Sequence, residues 1–580
     1  MPFQVSPGVN VSEVDLTTVI PAVSTSIGAY AGHFKWGPML KSFLMTSTDD
    51  MVEMFGAPDQ ALTADFNTAA NFLSYTSALR VVRALATGAK NASDGNSETA
   101  VGAEIIENDD DWLGMGELGT TGNTFYAKYA GNVGNEIIVE VCDTPEMFET
   151  WASNSYFSAA PGTSVYAADR GAANDEVHVI ILNAGKEGFT DTANDVLEVY
   201  SFLSKAQDGL NGSQESAYFK AVINQSSKYI RVGTDANVND SYGSTVSNGF
   251  VFGNSAGPTP LSVQLSGGID GDMVKSDMTD AWDIFADAEQ EDVSLLITGT
   301  GGATLSASDS NGVKGHVIEI ADTRKDCVAF ISPAKADVVN ASAESVKLDN
   351  LTNRVTGFRN ADVNKNTSYA VMDTGWKYQF DSFTKKYQWV PLNGDVAGLV
   401  ARTDALRDPW WSPAGYTRGQ VKNVTKLAYN PSKSHRDALY LQQYNPVVSF
   451  PGQGTILFGD KTMQTRPSAF DRINVRRLFI VLEKAISTAA KFSLFEFNDA
   501  FTRSMFRNMV EPFLRDVKGR RGITEFIVVC DETNNPGSVI DRNEFVGDIY
   551  IKPTRSINFI QLNFVAVATG VEFSEVVGNF

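Results

Sequence analysis

The sequence predicts a multidomain fold of mixed α/β (α+β) class with strand-like segments at both chain ends. Three observations carry this expectation. Strand-like and helix-like runs alternate over residues 261–400, the order that builds parallel sheets. Residues 91–260 hold short apolar or alternating runs separated by Gly, Asn, Ser and Asp, a texture of antiparallel β-structure. Between residues 473 and 509, apolar side chains recur at helical spacing. With 580 residues, 43% of them hydrophobic and 20% charged, the chain can hold several packed domains.

In chain order, residues 1–25 read as an arm. Pro7-Gly8 makes a turn, and Val9, Val11 and Val14 are its apolar positions. A short extended arm cannot bury its own apolar face, so it needs a sheet to join, in its own body or in a neighbour. Residues 26–90 read as compact and mixed. A strand is expected at 27–30, a turn at Gly37-Pro38, a short helix capped by Asp49 or Asp50 and ended by Gly56, a helix carrying Phe66, Ala69, Ala70 and Leu73, and a strand at 79–85. Residues 91–260 read as an inserted, mostly β domain with runs at 124–129, 136–141, 177–182, 218–223 and 229–232, or as two small lobes.

Residues 261–400 return to alternation, with helices expected at 279–288 and 313–323 and strands at 293–297 and 327–331. Together with 26–90 they form a middle α/β domain with right-handed crossovers. Residues 401–555 are the most patterned. Strands at 447–450 and 455–458 flank a Pro-Gly turn. Ile473, Leu478, Leu482, Ala485 and Ala489 share a helical face. Asn498 or Asp499 caps a further helix, which Pro512 must kink or divide. Strands are expected at 523–530, 548–551 and 557–567. Residues 556–580 form a second arm, with Ile560, Leu562, Phe564, Val571 and Phe573 as its strand positions.

Charge is uneven. The formal net charge is -22, and residues 91–310 alone carry 34 acidic against 8 basic side chains. Residues 461–521 reverse this, with 13 basic against 6 acidic. The first region is built to stay solvated and to repel nucleic acid and anionic membranes. The second suits an acidic partner or local ion pairs. Cys142, Cys327 and Cys530 are sparse and odd in number, which fits a reducing compartment rather than a disulfide framework. The stretch from Met1 to Val11 lacks a charged and then apolar leader pattern, and no run of about 18 apolar residues occurs, so neither a signal peptide nor a spanning helix is expected.

Motifs of chemistry are incomplete. His33, His178, His316 and His435 are too far apart for zinc spacing. Gly299, Gly301 and Gly302 follow a strand, but the Lys and Ser/Thr of a phosphate loop are missing. Asp270 and Asp272 flank Gly271 without the remaining ligands of a calcium loop. No metal, cofactor or catalytic residue is therefore assigned. Strand-like ends, which recruit other strands, suggest association instead.

The motifs present resemble those of contractile tail sheath proteins of bacteriophages. At the amino end these are Ser6-Pro7-Gly8-Val9, Thr25-Ser26-Ile27-Gly28, Gly37-Pro38 and Phe55-Gly56. Leu265-Ser266-Gly267-Gly268-Ile269-Asp270-Gly271 follows the insertion. The carboxyl part adds Pro409-Trp410-Trp411-Ser412-Pro413-Ala414-Gly415, Gly459-Asp460-Lys461-Thr462, Ile473-Asn474-Val475-Arg476-Arg477-Leu478, Phe495-Glu496-Phe497-Asn498-Asp499 and Cys530-Asp531-Glu532. The match covers residues 5–90 and 261–580, and residues 91–260 match nothing.

The resemblance implies a structural subunit that polymerises as stacked hexameric rings and contracts to drive a tube through the host envelope. It implies linking arms at both termini, a tube-proximal carboxyl domain, an insertion facing outward, and the tail tube, baseplate and tail terminator proteins as partners. Assembly in the host cytoplasm into the virion follows, with no direct nucleic-acid contact and no stable membrane insertion. Candidates for holding the tube are Arg503, Arg507, Arg515, Lys518, Arg520 and Arg521, whose alternative role is ion pairing with Glu511 and Asp516. The rival readings are the sheath of a phage-derived injection particle and, of another class, an α/β enzyme built on residues 261–400.

Overall fold

The structure is a computed structural model. It describes residues 24–95, 105–115, 124–185, 189–190, 192–233, 259–354, 357–359, 362–558 and 561. Val9, Val11, Val14, Ile560, Leu562, Phe564, Val571 and Phe573 lie outside the described residues.

A seven-stranded sheet forms the centre. Its order is Tyr444–Asn445, Ala370–Asp373, Val328–Ile331, Leu295–Ile297, Gly28–Gly32, Leu79–Arg83 and Phe43–Met45. All neighbours are parallel except the last pair, with Ala29 opposite Leu296 on one side and Arg80 on the other. Both faces are covered, which is why these strands read as short continuous apolar runs rather than alternating ones. On one face pack the helices Lys275–Asp283 and Ala307–Arg324, through Met278, Trp282, Val313 and Val317. On the other pack Thr48–Phe55, Thr63–Leu73 and Asn393–Leu406, through Phe55, Phe66, Phe72 and Leu399.

Two expectations shift for local reasons. The first helix is capped by Ser47, whose hydroxyl accepts from the Asp50 amide while the Asp50 carboxylate accepts from the Ser47 amide. The helix expected at 279–288 starts at Lys275 instead, because Asp277 accepts from the Val274 amide and closes the first turn.

The insertion is an antiparallel four-stranded sheet in the order Val196–Ser204, Glu176–Asn183, Ile137–Cys142 and Leu261–Gln264, plus a pair formed by Phe125–Ala127 and Ile230–Val232. The run at 218–223 is not a strand. It opens the helix Phe219–Ser226, where Phe219 and Ile223 bury together at i, i+4 spacing. Two side chains of the segment between the strands Gly28–Gly32 and Leu79–Arg83, or at its edge, hold the insertion. Arg83 is fully buried and donates to the carbonyls of Phe34, Gly37 and, within the insertion, Ala130. Trp36 packs edge-on against Tyr129 and Phe189 at 5.3 and 4.9 Å.

The carboxyl part stacks the helices Ile473–Ala490 and Ala500–Gly519 against a hairpin of Ile523–Val529 and Asp548–Pro553. Leu478, Leu482, Ala485, Phe506, Val510, Leu514 and Val517 form their shared core with Trp410. Pro512 neither divides nor ends the second helix. It sits on the exposed side, where the lost amide bond faces solvent, at a cost of about 3 kcal/mol. Ile557, Asn558 and Gln561 are not in a strand, and the rest of the strand expected at 557–567 lies outside the described residues.

Candidate assembly surfaces

Asp65 occupies the glycine-rich loop after the fourth strand of the sheet. Its carboxylate accepts from the Thr300 amide and hydroxyl at 3.2 and 2.6 Å and from the Ala303 amide at 3.0 Å. Gly299, Gly301 and Gly302 all have positive φ, so the loop curls around an anion that the chain supplies itself. Asp270 is likewise engaged within the fold, accepting from the Asn132 amide and side chain at 2.7 and 2.8 Å. His178 stacks on Phe157 at 4.4 Å, hydrogen-bonds to the Ala159 carbonyl and accepts from the Phe202 amide. Burial holds its imidazole below the usual range, so it packs as a neutral ring. Among the described residues no three His, Cys, Asp or Glu gather as a metal cage, and no helix is long and apolar enough to cross a membrane.

The described residues that border the two expected arms, Ser24-Thr25 and Ser556–Asn558, both sit beside one helix. At the amino root, Arg477 on Ile473–Ala490 grips Asp404 with both terminal nitrogens, at 2.5 and 2.6 Å, and donates to the Thr25 carbonyl at 2.7 Å. The Thr25 hydroxyl donates to the same carboxylate at 2.8 Å, and Ser294 donates to the Ser24 carbonyl. Arg477 and Asp404 side chains are each only 6% exposed, so the bidentate pair works in a poorly screened setting.

At the carboxyl root, Asp460 accepts from Ser556 at 2.8 Å and Asn558 at 3.0 Å, and also from Arg472 and Ser412. The Ile473 amide donates to the Asp460 carbonyl, which fixes this carboxylate at the start of the same helix. Arg477 lies one turn further along, so the first two turns of that helix hold both roots. Neither clamp was assigned from the sequence. Arg476-Arg477 inside an otherwise apolar helical run was the available signal, since a buried arginine needs a partner.

The basic candidates differ in burial and in pairing. Arg503 is buried and donates to Asn498 at 2.9 Å. Arg507 and Arg515 share Glu511 at 4.0 and 3.9 Å, and Arg520 reaches Asp516 at 2.6 Å and Asp408 at 2.8 Å. Lys518 and Arg521 are exposed and form no ion pair among the described residues. Such exposed pairs contribute about 0–1 kcal/mol each and leave their cations available.

The hairpin beside them has a buried face, with Ile523 and Val528, and an exposed face with Ile527 and Tyr550. Among the described residues it has only two strands, so both outer edges keep backbone donors and acceptors free for further strands.

Comparison with known proteins agrees with this architecture. The family described as "Phage tail sheath protein central domain" matches residues 271–463, and "Phage tail sheath C-terminal domain" matches residues 465–566. The chain is 35% identical to the tail sheath protein of Vibrio phage KVP40, with 99% of each chain covered. It is also 35% identical to the tail sheath protein of Enterobacteria phage T4, again with 99% of each covered. Two solved structures share the fold. One is a sheath tail protein from Listeria innocua, with a TM-score of 0.52 at 11% identity over 93% of this chain and 97% of that one. The other is the anti-feeding prophage helical sheath in its contracted state, with a TM-score of 0.51 at 11% identity over 97% and 99%.

Proposed function

Because the chain belongs to the phage tail sheath protein family, we propose that it acts as a subunit of a contractile sheath in which each copy lends its terminal arms to neighbouring copies. It is a structural component of the virion. Subunits stack as hexameric rings around the tail tube, assembled in the host cytoplasm between baseplate and terminator, with the acidic insertion turned outward. The role is mechanical rather than catalytic.

The single observation that supports this most is the pair of clamps at the start of the helix Ile473–Ala490. Each arm is held at its root by a buried carboxylate, Asp404 or Asp460, on the body it leaves. A firmly rooted arm transmits force, whereas a loosely rooted one merely tethers. The free hairpin edges offer a place for such arms to pair. Each backbone hydrogen bond nets about 0.5–1.5 kcal/mol, so roughly half a dozen give several kcal/mol per junction. The lattice can then repack from an extended to a contracted arrangement while its junctions persist.

Deleting residues 1–20 tests the arms. The expected product is rings or short stacks in negative stain, in place of long tubes. Full-length sheaths that still shorten would overturn the arm mechanism.

A further inference from the structure

Two unusual surfaces sit at opposite ends of the helix Ile473–Ala490. Beyond its last residue, the turn that leads into the helix Ala500–Gly519 exposes Phe492, Leu494, Phe495 and Phe497, and the first turn of that helix adds Phe501, with Phe495 wholly in solvent. Soluble surfaces scatter such residues singly, so five within ten positions mark a contact site. The turn is built rather than slack. Asn498 donates to the Glu544 carbonyl at 2.8 Å and accepts from buried Arg503, while Asp499 caps the following helix through the Thr502 amide. Phe495 is held at φ +70, a conformation that costs a non-glycine residue energy. Glu496, between the two most exposed phenylalanines, is the acid at the tip.

Beside the first turn of the helix lies a groove of about 720 Å³, large enough for more than one aromatic side chain. Trp410, Trp411, Tyr440 and Phe458 supply its apolar wall, and Asn474 of the helix lines it. Its cations are Arg418, Lys433, Arg436, Arg521 and Arg555; Arg418 lies over Trp411 and Arg436 over Phe458. Of its two carboxylates, Asp460 is already committed to the carboxyl root, leaving Asp437 against five cations.

We propose that the aromatic turn of one copy docks in the groove of the next, with Phe495 and Phe497 against the aromatic wall and Glu496 among the cations. The inference rests on the polymer reading above and adds a contact to it beyond the arms. An 18-residue helix spans about 27 Å, so turn and groove lie far apart on one subunit and face different neighbours. Such a contact is head-to-tail and does not close on itself, which is the geometry of a growing polymer. The partner is a second copy because the two surfaces match in both respects: an acid set in aromatics meets cations set in aromatics.

A cysteine pair tests this in the full chain. Phe497→Cys and Phe458→Cys are combined, since the native cysteines Cys142, Cys327 and Cys530 are all buried. Oxidised polymers of the double variant are expected to give a ladder of linked subunits on a non-reducing gel, and either single variant none. Charge reversal gives a second measure. Glu496→Lys and Arg436→Glu each raise the concentration needed for assembly about tenfold, and the combined variant recovers most of it. Normal tubes without a ladder overturn the contact while leaving the polymer reading intact. Loss of tube-protein binding by Phe495→Ser, with sheath assembly unchanged, also overturns it and assigns the turn to that partner. No polymer from the unsubstituted chain overturns both.

Discussion

The two long helices of the carboxyl region are both rich in arginine and use it in opposite ways. On Ile473–Ala490, Arg477 is buried against Asp404 and Thr25, and Arg476 is buried over the rings of Tyr369 and Phe470 at 4.4 and 4.1 Å. On Ala500–Gly519 and just beyond it, Arg503 and Arg520 bond within the subunit, whereas Arg515, Lys518 and Arg521 stand exposed. The first set fixes the chain to itself, and the second remains available to something else. Net charge cannot separate the two. The separating fact is whether a carboxylate or an aromatic face is buried beside the cation.

The largest test of that contrast is Arg477→Ala. It leaves Asp404 buried without its cation and frees the Thr25 carbonyl. Removing one partner of such a pair costs about 3–5 kcal/mol, read as a lower urea midpoint with an unchanged slope. Arg515→Ala, at 71% side-chain exposure, is expected to shift stability by under about 0.5 kcal/mol. Equal costs at the two positions would break the contrast.

A buried carboxylate without a close cation sharpens it. Asp373, at the end of a central strand, accepts from Ser332 at 2.6 Å and the Gly375 amide at 2.8 Å, while Lys314 acts on it only from beyond ion-pair distance. Burial raises its carboxyl to about 7. The folded chain therefore keeps a proton that the unfolded chain releases from about pH 4 upward, and stability falls as pH rises through that window. Asp373→Asn is expected to remove about 2–4 kcal/mol of that fall between pH 4.5 and 7.5. An unaltered pH profile in thermal melts would show that this carboxyl titrates normally.

Asp460→Ala is expected to cost about 1–3 kcal/mol, because it removes the carboxylate that Ser556 and Asn558 share and leaves them only their bonds to each other and to Tyr440. The bond after Arg555 lies at that root, so limited trypsin digestion should cut there several-fold faster in the variant. A cut rate equal to that of the parent would mean that Asp460 does not hold the root.

The sequence reveals much of the fold and little of the clamps, and particular residues show why. Strands Leu295–Ile297 and Val328–Ile331 were legible because an apolar run between turn residues depends only on its neighbours. The segment Phe219–Ser226 was not, since Tyr218, Phe219, Val222 and Ile223 fit a strand and a helix about equally over so few residues. The clamps join Arg477 to residues 73 and 452 positions away, and Asp460 to residues 96 and 98 positions away. No local pattern encodes a partner at that distance. What the sequence does carry is the anomaly that calls for one, a charged pair set in an apolar helix.

The smallest effect on stability is expected from the exposed cations, and it decides what they are for. Arg507, Arg515 and Lys518 rest on no buried partner, so a triple change to Gln should leave the melting temperature within a degree or two. If these cations hold an acidic tube, the same triple variant should assemble yet release the tube at markedly lower salt than the parent, because screening weakens every exposed pair in proportion to their number. Co-sedimentation of sheath with tube across a salt series measures this directly. Arg503→Gln is the internal control. It breaks the buried bond to Asn498 and should lower stability by about 1–2 kcal/mol without a separate change in salt response. A triple variant whose tube retention matches the parent at every salt concentration would assign these residues to the solvated surface alone.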